Sequence, residues 1–323
     1  MIKPVAILSM LIAFAMFGCN NCDECENPTY NYMMQLYDVQ ETPAERQVSL
    51  LFQVLEGEGR GVANLTEEDF EVLENGEPID TEANKTIDPQ SIPSRISTVL
   101  LLDVSSSVAG FIDELKEASM VLIDQKLPNQ TFAVYTFDKE LRLVQGFTED
   151  TSLLKNQIAA IPEDNLESST NLYGAIIEVT NESLFTWENT YSIDFIEEHN
   201  LVVFTDGRHN ANPDITLDQA LTSVGHKKVY VAALQSSDLR EEPLQQIATE
   251  GYFLANDVPQ VEENFKKVQN RIVNLANSLY YLYYTSPISD PSPRDNTLEI
   301  RIKNNRLGEE NAIVTQFNSG GFD

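Results

Sequence analysis

The stretch Val99-Leu100-Leu101-Leu102-Asp103-Val104-Ser105-Ser106-Ser107 constrains the fold of this chain more than any other. A short apolar run bounded by polar residues is the pattern of a strand buried on both faces, and such strands belong mostly to parallel sheets. Directly after it, Val108, Phe111, Ile112, Leu115, Ala118 and Leu122 recur at helical spacing, which predicts an amphipathic helix. Asp103, Ser105 and Ser107 therefore fall in a strand-to-helix loop. That loop lies at the carboxyl edge of the sheet, where open α/β folds place their ligands. One carboxylate and two hydroxyls are hard oxygen donors, better suited to Mg²⁺ than to zinc or copper. Taken alone, the string fits equally well a loop whose Ser and Asp simply cap a helix.

Two further stretches tip that balance. Ser168-Ser169-Thr170-Asn171-Leu172-Tyr173-Gly174-Ala175 opens another helix with a hydroxyl, and Leu201-Val202-Val203-Phe204-Thr205-Asp206-Gly207 is a second buried strand ending in an acid. With these residues in view the chain resembles the von Willebrand factor A domain, whose metal-ion-dependent adhesion site combines a D-x-S-x-S loop with a distant Thr and a distant Asp. Asp103, Ser105, Ser107, Thr170 and Asp206 match that pattern in order. The resemblance implies a doubly wound, mostly parallel, Rossmann-like sheet flanked by helices. It also implies a divalent cation, Mg²⁺ or alternatively Mn²⁺ or Ca²⁺, held by those five residues. Asn171, Arg208 and His209 adjoin the site in sequence and are expected at its rim, where each also reads as an ordinary loop residue.

The amino terminus carries an address. Lys3 is followed by a nearly unbroken apolar run from Val5 to Phe17, too short for a comfortable membrane span and typical of a secretory signal. It ends in Met16-Phe17-Gly18-Cys19, which resembles the bacterial lipobox and implies a lipid-modified Cys19 tethered to a membrane. Cys22 and Cys25 sit in a polar, acidic leash, where a local disulfide or two idle thiols are expected; no cysteine follows. With 51 acidic against 21 basic residues, the formal charge is −30. Such a surface repels nucleic acid and anionic headgroups and draws divalent cations. Nucleic-acid binding is thereby set aside.

Flanking the α/β pattern are β-like segments. Val48 to Val54 reads as a strand, with Gly57-Glu58-Gly59-Arg60-Gly61 as its turn; that spacing is not a nucleotide loop and no helix follows. Leu65 to Gly76 gives a helical turn, a strand and an Asn-Gly turn, and Thr81 to Arg95 a polar connection. Val258, Val261, Phe265, Val268, Ile272, Leu275 and Leu279 form one stripe of a long final helix. Three more strands follow, at Tyr280–Thr285, Thr297–Ile302 and Ala312–Thr315. Three strands are too few for an independent domain. The expected plan is a signal over 1–18, a tether over 19–30, a β-sandwich built from 31–92 together with 280–323, and the A-type domain over 93–279 inserted between adjacent strands of that sandwich.

Function follows as an expectation. The chain reads as a cell-envelope lipoprotein, at the outer membrane (periplasmic or surface face) rather than the inner one. It would use the cation to capture the Asp or Glu of a protein partner, whose own surface should be basic to approach so acidic a chain. A structural alternative keeps the ion merely as a stiffener of loops during envelope assembly. A metal-assisted hydrolase is the third reading, but G-x-S-x-G and H-E-x-x-H are absent and His199, His209 and His226 are scattered, so no enzyme is expected.

Overall fold

Apolar runs with no polar face can be satisfied only in the middle of a layered structure, and the fold is arranged around that demand. The computed structural model describes residues 31–323, apart from positions 58, 80–82, 89–91, 164–165, 182–185, 238 and 306–310. The expected signal over 1–18, Cys19, Cys22 and Cys25 lie outside the described residues. Among those described, no helix is long and apolar enough to cross a membrane.

The chain begins with strands β1 (Tyr32–Thr42), β2 (Gln47–Glu56), β3 (Arg60–Gly61), β4 (Phe70–Glu74), β5 (Glu77–Pro78) and β6 (Thr86–Asp88). The α/β unit follows in the order β7 (Ser94–Asp103), α1 (Ile112–Asp124), β8 (Gln130–Phe137), β9 (Leu141–Thr148), α2 (Thr151–Ala159), α3 (Leu172–Thr180), β10 (Thr190–Tyr191), β11 (Ile196–Thr205), α4 (Leu217–Val224), β12 (Lys228–Leu234), α5 (Glu241–Ile247), β13 (Gly251–Ala255) and α6 (Val258–Ala276). Strands β14 (Leu279–Thr285), β15 (Asp295–Ile302) and β16 (Ile313–Asn318) close the chain.

In the central sheet the order is β13-β12-β11-β7-β8-β9, with β10 beside β11. Neighbours from β13 to β8 run parallel, whereas β9 and β10 are antiparallel to theirs. Alternation along β7 divides its apolar run between the two faces. Leu100 and Leu102 pack under α1, α2 and α6, while Val99 and Leu101 meet α3, α4 and α5. Because β7 is paired with β8 on one side and β11 on the other, the chain reverses its direction of winding there. Such a switch opens a crevice at the carboxyl ends of the two strands.

The other strands form two sheets, β1-β2-β14-β6 with β3 beside β2, and β16-β15-β4-β5. Residues from both ends of the chain interleave in them. β14 lies between β2 and β6, and β15 between β4 and β16. The strand that precedes the α/β unit therefore hydrogen-bonds to the strand that follows it, Tyr281 opposite Asp88. Between the two sheets Val48, Leu50, Phe52, Phe70, Tyr280, Leu282, Leu298 and Ile300 make one core. Tyr284 and Ser286 donate to the carboxylate of Glu74 at 2.8 and 2.9 Å, a buried polar link from one sheet to the other.

The final helix is shorter than its stripe suggests. Val261, Phe265, Val268, Ile272 and Leu275 are buried on it, but it stops at Ala276, and Leu279 is the first residue of β14. The stop is chemical: Ser278 Oγ donates to the Leu275 carbonyl at 2.8 Å, and Gln53 Nε2 donates to the same oxygen at 3.2 Å and to Ser278 Oγ at 2.9 Å. Gly61 meets this end so closely that a Cβ there would lie 2.4 Å from the Asn274 carbonyl oxygen.

Candidate functional site

Five side chains singled out in the sequence sit on three loops at the carboxyl edge of the sheet, and hydrogen bonds tie the loops together. Asp103 ends β7 and Asp206 follows β11, the two strands flanking the switch in winding. Thr170 precedes α3, and its backbone N–H donates to Asn210 Oδ1 at 2.8 Å. In return the Asn210 and Ala211 N–H groups donate to the Thr170 carbonyl at 2.9 and 3.1 Å. The first loop joins in through Ser106 N–H, which donates to the Glu167 carbonyl at 2.8 Å.

Asp103 is fully buried. Its Oδ1 accepts from the Ser105 N–H at 3.0 Å and its Oδ2 from the Thr205 hydroxyl at 2.7 Å. Burial pushes its carboxyl up from the ordinary 3.8 to about 7; the bonds from Ser105 and Thr205 oppose the rise, and the charge of Asp206 adds to it. Ser105 and Ser107 face each other, Oγ to Oγ, at 3.0 Å. Asp206 is also fully buried and accepts from the Arg208 N–H at Oδ1, 3.2 Å away.

Two oxygens in this cluster are left over. Thr170 Oγ1 and Asp206 Oδ2 are buried with no hydrogen-bond partner. An unsatisfied buried oxygen costs roughly 1–3 kcal/mol, so such atoms are rare and call for a missing partner. Hard oxygen donors, two of them orphaned and one acid desolvated beside another, fit a small divalent cation. Among the described residues no three His, Cys, Asp or Glu side chains gather at one point, so a cation here depends on the hydroxyls as well as on the two acids.

The three expected rim residues have separate fates. Asn171 is buried and caps α3, its Oδ1 accepting from the Gly174 N–H at 3.2 Å. A Cβ on residue 174 would fall 2.2 Å from the Asn171 amide, so the cap requires glycine there. His209 stacks on Tyr173 with ring centroids 4.2 Å apart. Its Nε2 faces the carbonyls of Asn212 and Ile215 at 2.9 and 3.1 Å, and its Nδ1 accepts from the Tyr173 N–H at 3.4 Å. Two carbonyl neighbours assign the proton to Nε2, so this ring braces the Asp206 loop and has no free nitrogen. Arg208 and His209 both line an open depression, shared with Asn210, Ser237, Leu239 and Arg240.

Sequence reasoning passed over Thr205, Asp138 and Asn210. The Thr205 hydroxyl donates to Asp103 and accepts from the Gly207 N–H at 3.0 Å, coupling both acidic loops. Its signal was a hydroxyl at the carboxyl end of an otherwise apolar run, easily read as one more β-branched strand residue. Asp138 is buried against Arg142, Oδ2 to Nη1 2.7 Å, and its carbonyl accepts from the Asn171 N–H at 2.7 Å. It thus holds the loop that carries Thr170.

Residues 98–209 match the sequence profile of the von Willebrand factor type A domain. The sheet order and flanking helices described above are those of that fold. No curated protein matches the chain. Among solved structures, proximal thread matrix protein 1 from the mussel byssus is 18% identical, with 56% of this chain and 49% of that one covered at a TM-score of 0.47. This chain thus spans about half the length of the mussel protein, which has also been solved with a zinc-occupied MIDAS motif. A von Willebrand factor type A protein from Catenulispora acidiphila is 11% identical over 91% of this chain and 74% of its own, at a TM-score of 0.48. The corresponding domain of the type V pili tip protein Mfa5 from Porphyromonas gingivalis is 13% identical, covering 57% of this chain and 97% of its own, at a TM-score of 0.46.

Proposed function

We propose that the chain is a protein-binding module of the bacterial cell envelope that captures a partner's Asp or Glu through a divalent cation held by Asp103, Ser105, Ser107, Thr170 and Asp206. The observation that carries this reading is the pair of orphaned buried oxygens, Thr170 Oγ1 and Asp206 Oδ2, on two loops bonded to each other. Mg²⁺, or Mn²⁺ or Ca²⁺ in its place, would supply Lewis acidity toward an incoming carboxylate. The protein's own part is to fix the donors. Thr205 orients Asp103, Asn210 sets Thr170, and Asn171 starts the helix behind them.

Binding is favoured over hydrolysis in that the one histidine near the site has both ring nitrogens engaged and is not free to activate water. A pull-down from envelope extract tests the reading. A partner retained in Mg²⁺, released by chelator and absent with Thr170→Ala supports it; identical retention in all three would refute it. The lipid anchor at Cys19, and with it an outer-membrane location, rests on the Gly18-Cys19 junction. Cells labelled with a fatty-acid analogue should mark the wild type and not Cys19→Ser.

A further inference from the structure

At the amino edge of the central sheet, opposite the cation loops, a lysine, an asparagine and a glutamate meet in a buried cluster. Glu198 and Asn200 lie two residues apart on β11, and Lys228 faces Asn200 directly across the parallel ladder to β12. Alternation puts all three, with Tyr230, on one face of the sheet. Lys228 Nζ is 2.8 Å from Glu198 Oε2, and Asn200 Nδ2 donates to Oε1 of the same carboxylate at 3.3 Å. One carboxylate therefore holds both an amine and a side-chain amide.

The surroundings exclude water. Asn200 and Tyr230 are fully buried, Glu198 nearly so, and the Lys228 side chain is 13% exposed. Tyr191 donates to Glu198 at 3.1 Å, stacks on Tyr37 with ring centroids 4.3 Å apart, and has Lys228 Nζ 5.6 Å above its own ring. Asn200 Oδ1 and the Tyr230 hydroxyl are buried with no hydrogen-bond partner. A purely structural ion pair has no need of an asparagine whose carbonyl oxygen stays unsatisfied.

A buried amine beside an amide and a proton acceptor is the arrangement that acyl transfer requires. We infer that Lys228 and Asn200 join in an isopeptide bond, formed by the chain itself with Glu198 as the proton acceptor. Burial presses the proton off Lys228, but the charge of Glu198 outweighs it and holds the ammonium well above the usual lysine range. The ion pair is therefore the resting state, and the reaction is a slow single turnover that starts when a proton passes along the 2.8 Å bond to Glu198. Lys228 Nζ then attacks Cγ of Asn200. The Nζ–Cγ bond forms, the Cγ–Nδ2 bond breaks, and a second Nζ proton goes to Nδ2, which leaves as ammonia. Glu198 ends as a carboxylic acid, a donor for the carbonyl oxygen that is orphaned beforehand. No oxidant or cofactor is consumed, and a buried ion pair gives way to neutral groups. Glu198 borders a cavity of about 270 Å³ and Lys228 another of about 340 Å³, which give the ammonia a way out. The bond closes residues 200–228, the Asp206 loop and α4 among them, into a covalent ring.

Peptide mapping of the purified full chain tests this. Trypsin cuts after Lys155, Arg208, Lys227 and Arg240, but not after an acylated Lys228. The expected product is a branched peptide joining 156–208 to 228–240, one ammonia lighter than the two together. Fragment ions from both arms distinguish it from ammonia lost within a single peptide. Lys228→Arg and Asn200→Ala should yield linear peptides only. So should Glu198→Gln, which keeps both reacting groups but has no carboxylate to take the proton; Trp187 fluorescence checks that it folds. A wild type that gives only linear 156–208 and 229–240 would overturn the proposal, and that map decides the bond even where a variant fails to fold. A branched peptide in equal yield from folded Glu198→Gln would overturn the role given to Glu198.

Discussion

Asp103→Asn should make the metal-free protein more stable and the metal-loaded protein less so. The wild-type carboxyl is buried and raised from 3.8 to about 7. At about 1.4 kcal/mol for each tenfold in proton affinity, that rise corresponds to about 4 kcal/mol. A carboxyl that binds its proton more tightly in the folded state contributes most below its unfolded value. The contribution declines between pH 3.8 and about 7 and is constant above. Above pH 7, then, the ionised Asp103 carries the whole penalty and an asparagine carries none.

Asparagine keeps an acceptor for the Ser105 N–H but turns a donor toward the Thr205 hydroxyl, at a cost of about 1 kcal/mol. The net expectation is a gain of about 3 kcal/mol at pH 8 in chelator, shrinking toward zero or below near pH 4. Urea unfolding followed by the fluorescence of Trp187 reads this directly, since the single tryptophan packs against the α/β core and donates to the Val179 carbonyl. Adding Mg²⁺ to a hundred times its dissociation constant should return about 2.7 kcal/mol to the wild type and nothing comparable to the variant. A variant less stable than wild type in chelator at pH 8, or a difference independent of pH, would refute the electrostatic argument.

Three other outcomes follow from the flanking sheets. Burial holds Glu74 above the usual carboxylate range against the bonds from Tyr284 and Ser286, so Glu74→Gln should unfold later than wild type at pH 8. Urea titrations at descending pH should show the gap narrowing toward the ordinary carboxylate range. Gly61→Ala would drive a Cβ into the Asn274 carbonyl, so a loss of about 1–3 kcal/mol is expected in thermal or urea unfolding. Deleting residues from Tyr280 onward removes the partners of β2, β4 and β6. Amide exchange should then accelerate across Gln47–Asp88 more than across β7, β8 and β11.

What could be read in the sequence depended on how strongly a segment's burial marks its composition. β7, β11 and β12 are covered on both faces, so their apolar runs stood out, and the acids closing β7 and β11 placed the site between them. The sharing of strands between the chain ends could be argued because three strands cannot bury a core alone. Short and half-exposed elements left no comparable mark. β6 has three residues, one of them buried, within a polar connection, and β10 has two. The helix stripe ran one turn too far because Leu279 keeps the spacing while Ser278 and Gln53, distant in sequence, end the helix. Thr205 and Asn210 act through loops that only the fold brings together. His209 lay beside the acid in sequence but turns away to stack on Tyr173.

Calorimetric titration of Mg²⁺ into the full chain and into Asp206→Ala tests the central claim most directly, because that substitution removes an orphaned oxygen and half of the acidic pair at once. The wild type should show one saturable site and the variant none, with both proteins folded by Trp187 fluorescence. Indistinguishable titrations would mean that Asp206 holds no cation, and the carboxylate-capturing function would fall with it.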